Sequence, residues 1–90
     1  MATKVKKEGI ETHIYEGRLD GIFKGFRNHD TIFKFQGGSS WRQDEYFYRS
    51  HHRESPRAQI TKILTKDHKE IFYIEIDGIE TPVEVKASYV

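Results

Sequence analysis

The sequence predicts an all-β fold: a small antiparallel barrel of five or six short strands. Three observations predict it. Val, Ile, Tyr, Phe and Thr recur in short runs, and those residue types fit a pleated, half-buried surface. The runs are broken by glycines, by Asn28-His29-Asp30 and by Asp77-Gly78, which are turn signals. No stretch of ten residues carries a clean 3.6-residue period, so no helix competes for the core.

Ninety residues suffice for one domain with a modest core. Residues 1–8 are charged and read as a flexible tail, with Lys4, Lys6 and Lys7 available for solvent or phosphate. Residues 9–90 read as the single β domain. The chain has no cysteine, which rules out disulfides and thiolate metal sites and fits a reducing compartment. The N-terminus has no apolar run of a signal peptide or membrane anchor, so the cytoplasm is the expected location, with no membrane partner. A net charge of +1 lacks the large positive excess of a non-specific nucleic-acid binder.

The first strand is short. Ile10, Thr12 and Ile14 alternate with Glu11, His13 and Tyr15 until Gly17 interrupts. The second covers residues 18–26, with Leu19, Gly21, Phe23 and Gly25 on one face and two glycines that suit a tight coil. Arg27 to Asp30 is a turn. Residues 31–36 form the third strand, with Phe33 and Phe35 inward and Lys34 outward, and Gly37-Gly38 turns the chain. The fourth strand begins near Trp41. Trp41 and Tyr46 have opposite parity although both suit burial, so a β-bulge near Asp44-Glu45 would bring them to one face. The alternative sends Tyr46 and Tyr48 to solvent beside a buried Phe47. Ser50 to Ser55 reads as a polar loop ending at Pro56. Arg57 to Leu64 is the next strand, with Ala58 and Ile60 inward, and Thr65 to Lys69 is a hairpin loop. The last hairpin has a type I′ signal at Asp77-Gly78, which sets Ile76 against Ile79, Ile74 against Thr81 and Phe72 against Val83. Pro82 then requires that the final strand be an edge at that position.

These elements favour a Src-homology-3-like barrel. An oligonucleotide-binding barrel usually places a helix between its third and fourth strands, and no helical candidate is present. The segments F-x-G-F (Phe23 to Phe26), T-I-F-K-F (Thr31 to Phe35) and W-x-Q-x-x-Y-x-Y (Trp41 to Tyr48), with Pro56 and the Asp77-Gly78 hairpin, resemble a set of small uncharacterised bacterial proteins. The resemblance spans roughly residues 18 to 86. This chain departs from it at Gly38, at Phe26, which stands for a tryptophan, and at His51 to Glu54, which replace an aromatic stretch. The resemblance implies the barrel fold and no particular activity.

The chemistry-bearing stretch is Trp41 to Ile60. It carries the only tryptophan, three consecutive aromatics and four arginines. Arg42, Tyr46, Tyr48, Arg49, His51, His52, Arg53 and Arg57 are the candidate binding residues. Their types dominate protein-interface hot spots. They also suit base stacking and phosphate contact on a single strand. Asp44, Glu45 and Glu54 reduce the local positive excess to one. The leading expectation is a non-enzymatic module that binds a protein partner, or self-associates as a homodimer, through residues 41–57 or an edge strand. Single-stranded nucleic acid is the second expectation and a small hydrolase using His51 the third. Adjacent His51 and His52 point to opposite sides of an extended chain, so they do not chelate one ion together. No serine lies in a nucleophile-elbow pattern and no phosphate-binding loop is present, so neither catalytic residues nor a cofactor are expected.

Overall fold

The computed structural model describes residues 6–88. It contains eight strands: β1 (Ile10–Arg18), β2 (Ile22–Phe26), β3 (Ile32–Lys34), β4 (Ser40–Gln43), β5 (Arg49–Glu54), β6 (Arg57–Leu64), β7 (Glu70–Ile76) and β8 (Val83–Ala87). There is no helix among the described residues. Six strands form one antiparallel sheet in the order β1-β6-β7-β8-β4-β3, and β2 and β5 form a separate two-stranded ribbon. The fold is therefore all-β and antiparallel, as expected, but no closed barrel forms. The two ends of the large sheet meet at one corner. There Leu19 bridges Phe35, the Gln36 N–H donates to the Arg18 carbonyl (2.9 Å) and the Asp20 N–H donates to the Lys34 carbonyl (2.7 Å).

The core forms where the ribbon meets the sheet. Phe23 and Phe26 of β2 pack with Phe33, Phe35, Trp41, Ile60, Ile74, Val83 and Val85 of the sheet. Burying each such side chain stabilises the fold by about 1.5–3 kcal/mol. Phe33, Phe35, Ala58 and Ile60 all face inward, as their alternation requires. Ile63 and Tyr73 are also buried but lie outside this cluster. Residues 6–9 lie against them: the Lys7 N–H donates to the Tyr73 hydroxyl (3.1 Å), and Gly9 packs on Ile63 and Leu64. Lys6 is ion-paired to Glu11 (2.7 Å) and to Glu75. The expected tail thus divides. Residues 1–5, including Lys4, lie outside the described residues, and Lys6 and Lys7 are tied to the sheet.

Several elements differ from the sequence expectation. β1 runs through Gly17 to Arg18 and is nine residues long. Its ladder with β6 pairs His13 with Thr61 and Tyr15 with Ile60, so Ile14 is an extra, bulged residue. The bulge turns Tyr15 onto the core face, edge-on to Phe35 with ring centroids 4.8 Å apart. β2 starts at Ile22 because the chain bends at Gly21, whose φ is +77°.

Ser50 to Glu54 is not a loop, and only Ser55 of the expected segment is a bend. Arg49–Glu54 is strand β5, pairing with β2. Backbone pairing, not side-chain pattern, makes it a strand: β2 has no other ladder partner.

The last hairpin keeps its inward faces but slips by two residues, so that Ile74 faces Val83 and Phe72 faces Val85. Its turn has positive φ only at Gly78 (+91°) and a 2.9 Å bond from the Ile79 N–H to the Ile76 carbonyl. That is the pattern of a type II turn, not type I′. β8 lies between β7 and β4, so the final strand is an interior one from Val83 onward. Pro82 is accommodated because it precedes the first ladder residue, Val83.

Candidate functional site

The site is built around a buried amide. Gln43 ends β4 with 0% of its surface exposed. Its Nε2 donates to the carbonyls of Glu45 and Phe47, each at 2.9 Å. Its Oε1 accepts the Arg27 N–H at 3.2 Å. One side chain therefore satisfies three backbone groups from two segments, which makes it costly to remove. Trp41, two residues earlier, packs on Phe72 at 5.4 Å, and its indole N–H donates to the Ser39 hydroxyl (2.7 Å).

The pinned backbone decides where the aromatics point. Phe47 turns inward and meets Phe26 edge-on at 5.4 Å. Tyr46 and Tyr48 consequently point outward, 88% and 74% exposed. The expected bulge near Asp44-Glu45 does not form, and Tyr46 does not share a face with buried Trp41. β4 stops at Gln43, so parity no longer propagates. The alternative arrangement, with Phe47 in and both tyrosines out, is the one observed.

Tyr46 does not stand alone. Its ring lies 4.7 Å from that of His29 at 35°. His29 sits in the turn after β2, which is fastened by bonds from the Thr31 N–H to the Asn28 carbonyl (3.0 Å) and from the Asp30 N–H to the Asn28 Oδ1 (2.9 Å). His29 and Arg27 were not among the expected site residues. Their turn is distant in the chain, and no local pattern couples it to Tyr46.

The charge balance of the site differs from the sequence count. Asp44 pairs with Lys86 (3.5 Å), and a carboxylate oxygen of Glu45 accepts the Glu84 N–H (2.5 Å). Every ion pair among the described residues uses a lysine or a histidine, and none uses an arginine. Arg42 and Arg49 are exposed, Arg42 opposite Ile32 and Lys86, and Arg49 opposite Phe26.

The remaining expected residues lie along β5 and the start of β6. Arg53 sits opposite Phe23, with its guanidinium beside Gly78. His51 and His52 together face the single residue Lys24 in a second bulge. His51 is half-buried with its ring 6.2 Å from Phe23, and His52 is exposed. Arg57 lies across the ladder from Arg18, whose guanidinium donates to the Ser55 carbonyl (3.0 Å).

The His51 Nε2 is buried and has no hydrogen-bond partner among the described residues. Among the described residues no carboxylate forms an ion pair with His51. Among the described residues no three His, Asp or Glu side chains converge to hold a metal ion. No described helix is long and apolar enough to cross a membrane. Comparison with family models, curated proteins and solved structures finds no match to this chain.

Proposed function

We propose that this chain is a non-enzymatic, cytoplasmic binding module on a strongly curled, Src-homology-3-like sheet, and that its ligand is a protein. Tyr46 and Tyr48 form the contact surface, backed by His29 and flanked by Arg42 and Arg49. Self-association through this surface is one form of that reading. The observation that supports it is the Gln43 amide, which fixes the backbone that thrusts two tyrosines into solvent. Ordering a loop before binding removes an entropic cost at the encounter, and tyrosine is a common hot-spot residue. His51, His52, Arg53 and Arg57 belong to the rim of this surface in the proposal.

The unpaired arginines favour a second reading, single-stranded nucleic acid, with the Tyr46–His29 pair as a stacking face and the guanidinium groups on phosphate. One set of measurements separates the two. Binding of oligonucleotides is followed at low and high salt. In parallel, proteins captured from extract by the wild type are compared with those captured by the Tyr46→Ala/Tyr48→Ala variant, and solution mass is recorded for both. A partner or a dimer lost only in the variant supports the protein reading. Identical captures and masses would overturn it. Oligonucleotide binding that falls steeply with salt would transfer the surface to nucleic acid.

A further inference from the structure

Past the end of β1 the chain begins a ladder with the end of β3, and that ladder stops before it reaches β2. Arg18 with Gln36, Leu19 with Phe35 and Asp20 with Lys34 are successive levels of one antiparallel register. The next hydrogen-bonding level in that register is Ile22 with Ile32, because antiparallel bonding pairs alternate along a ladder. That level is unmade. β2 and β3 are neighbours in no sheet, and Ile22 and Ile32 are 63% and 42% exposed. Between the strands lies a groove of about 400 Å³, with Phe23 and Phe33 among its lining residues.

The residues along the two open edges are complementary. From the bend before β2 along that strand the outward series is Asp20, Ile22, Lys24; on the facing segment it is Lys34, Ile32, Asp30. The register already sets Asp20 against Lys34; continued, it would set isoleucine against isoleucine and then Lys24 against Asp30. None of these four charged residues is in an ion pair among those described. Opposite charges and β-branched apolar pairs at directly facing positions both favour strand pairing. The Ile22 and Ile32 backbone groups that point into the groove have no ladder partner. Gly21, at φ +77°, sits where the strands part and gives the backbone a pivot.

We propose that this seam is a two-state element: the molecule also adopts a closed form in which Ile22 pairs with Ile32, Lys24 meets Asp30, and the sheet joins end to end as a barrel. The open form leaves the groove between β2 and β3 accessible, with the buried Phe23 and Phe33 rings beneath it, and the closed form fills it. Complementarity of the two edges to each other makes the chain's own β3 the occupant of the β2 edge.

The chain has no cysteine, so an Ile22→Cys/Ile32→Cys variant reports closure directly. A disulfide forms only when the two Cα atoms come within about 7 Å. Under mild oxidation in dilute solution the pair should form an intramolecular bond in nearly every molecule. A pair that stays reduced, or that gives only linked dimers, would overturn the proposal. A second measurement needs no cysteine. In the wild type, the Ile22 and Ile32 amides should exchange with solvent at least tenfold more slowly than the Lys66 amide in the β6–β7 loop. Lys24→Asp should remove that protection, and Lys24→Asp/Asp30→Lys should restore it. Loop-like exchange at Ile22 and Ile32 in the wild type, or protection unmoved by Lys24→Asp, would equally sink closure.

Discussion

The Gln43 amide donates to the Phe47 carbonyl at 2.9 Å, four residues along the chain, inside a buried site. The same amide group donates to Glu45, and its oxygen accepts from Arg27. Gln43→Leu keeps most of the volume but strands two carbonyls and one N–H. The expected loss is about 2–4 kcal/mol, because each buried unsatisfied group costs roughly 1–3 kcal/mol and part of the loop can reach water. Urea denaturation followed by Trp41 fluorescence measures it. A loss below about 1 kcal/mol would mean that Gln43 does not hold the loop.

The three consecutive aromatics should separate cleanly in stability. Tyr46→Ala and Tyr48→Ala remove exposed rings and should each change stability by no more than about 0.5 kcal/mol. Phe47→Ala empties the contact with Phe26 and should cost roughly 2–3 kcal/mol, somewhat less than a fully buried phenylalanine. Thermal melts of the three variants test the inside-outside assignment. A large loss at Tyr46 would contradict it.

Two glycines with similar backbone angles should differ in cost. Gly25 has φ +108° and faces the Arg49 carbonyl of β5 so closely that a Cβ would overlap it. Gly38 has φ +102° with open space around it. Gly38→Ala should cost only conformational strain, roughly 1–2 kcal/mol. Gly25→Ala adds a backbone collision across the β2–β5 ladder and should cost about 3 kcal/mol or more. Equal losses in denaturant titrations would show that the ribbon yields at Gly25.

Lys6 makes the N-terminal attachment pH-dependent. Burial pulls its ammonium down. Hydrogen bonds to Glu11 and Glu75, with their negative charges, push it up and win, so its pKa lies above the usual 10.5. A pKa raised on folding gives stability that is complete below the unfolded value and is lost as pH rises through the folded one. Wild type should therefore melt above Lys6→Met by a constant margin from neutral pH to about pH 10, the unfolded lysine range. That margin should shrink at higher pH. A margin that persists unchanged to about pH 12 would assign the effect to packing of the lysine stem.

Period-two patterns were legible wherever a strand keeps one face buried. Phe33 in β3 and Phe35 just after it, and Ala58 and Ile60 in β6, take the faces their spacing implies. The last hairpin kept its faces even though its register slipped, because a shift of two residues preserves parity. β5 was illegible because Arg49, Ser50, His52, Arg53 and Glu54 are all exposed and alternate nothing apolar with polar. The outward tyrosines were foreseen only as one of two options, since parity reasoning assumed a strand that in fact ends at Gln43. His29 carries no signal in the sequence because its contact with Tyr46 depends on tertiary placement of a turn, which single-sequence spacing does not encode.

The bulge at Ile14 has a consequence for solubility. β1 is an outermost strand of nine residues with Ile10 and Ile14 uncovered, the kind of border on which a second molecule could template a growing fibre. The unpaired residue kinks that border and breaks its regular rhythm of donors and acceptors. Deleting Ile14 would straighten the border while leaving His13 opposite Thr61 and Tyr15 opposite Ile60. That small edit would remove the guard against stacking with the interior kept, and such a chain should form thioflavin-positive aggregates where the parent stays clear.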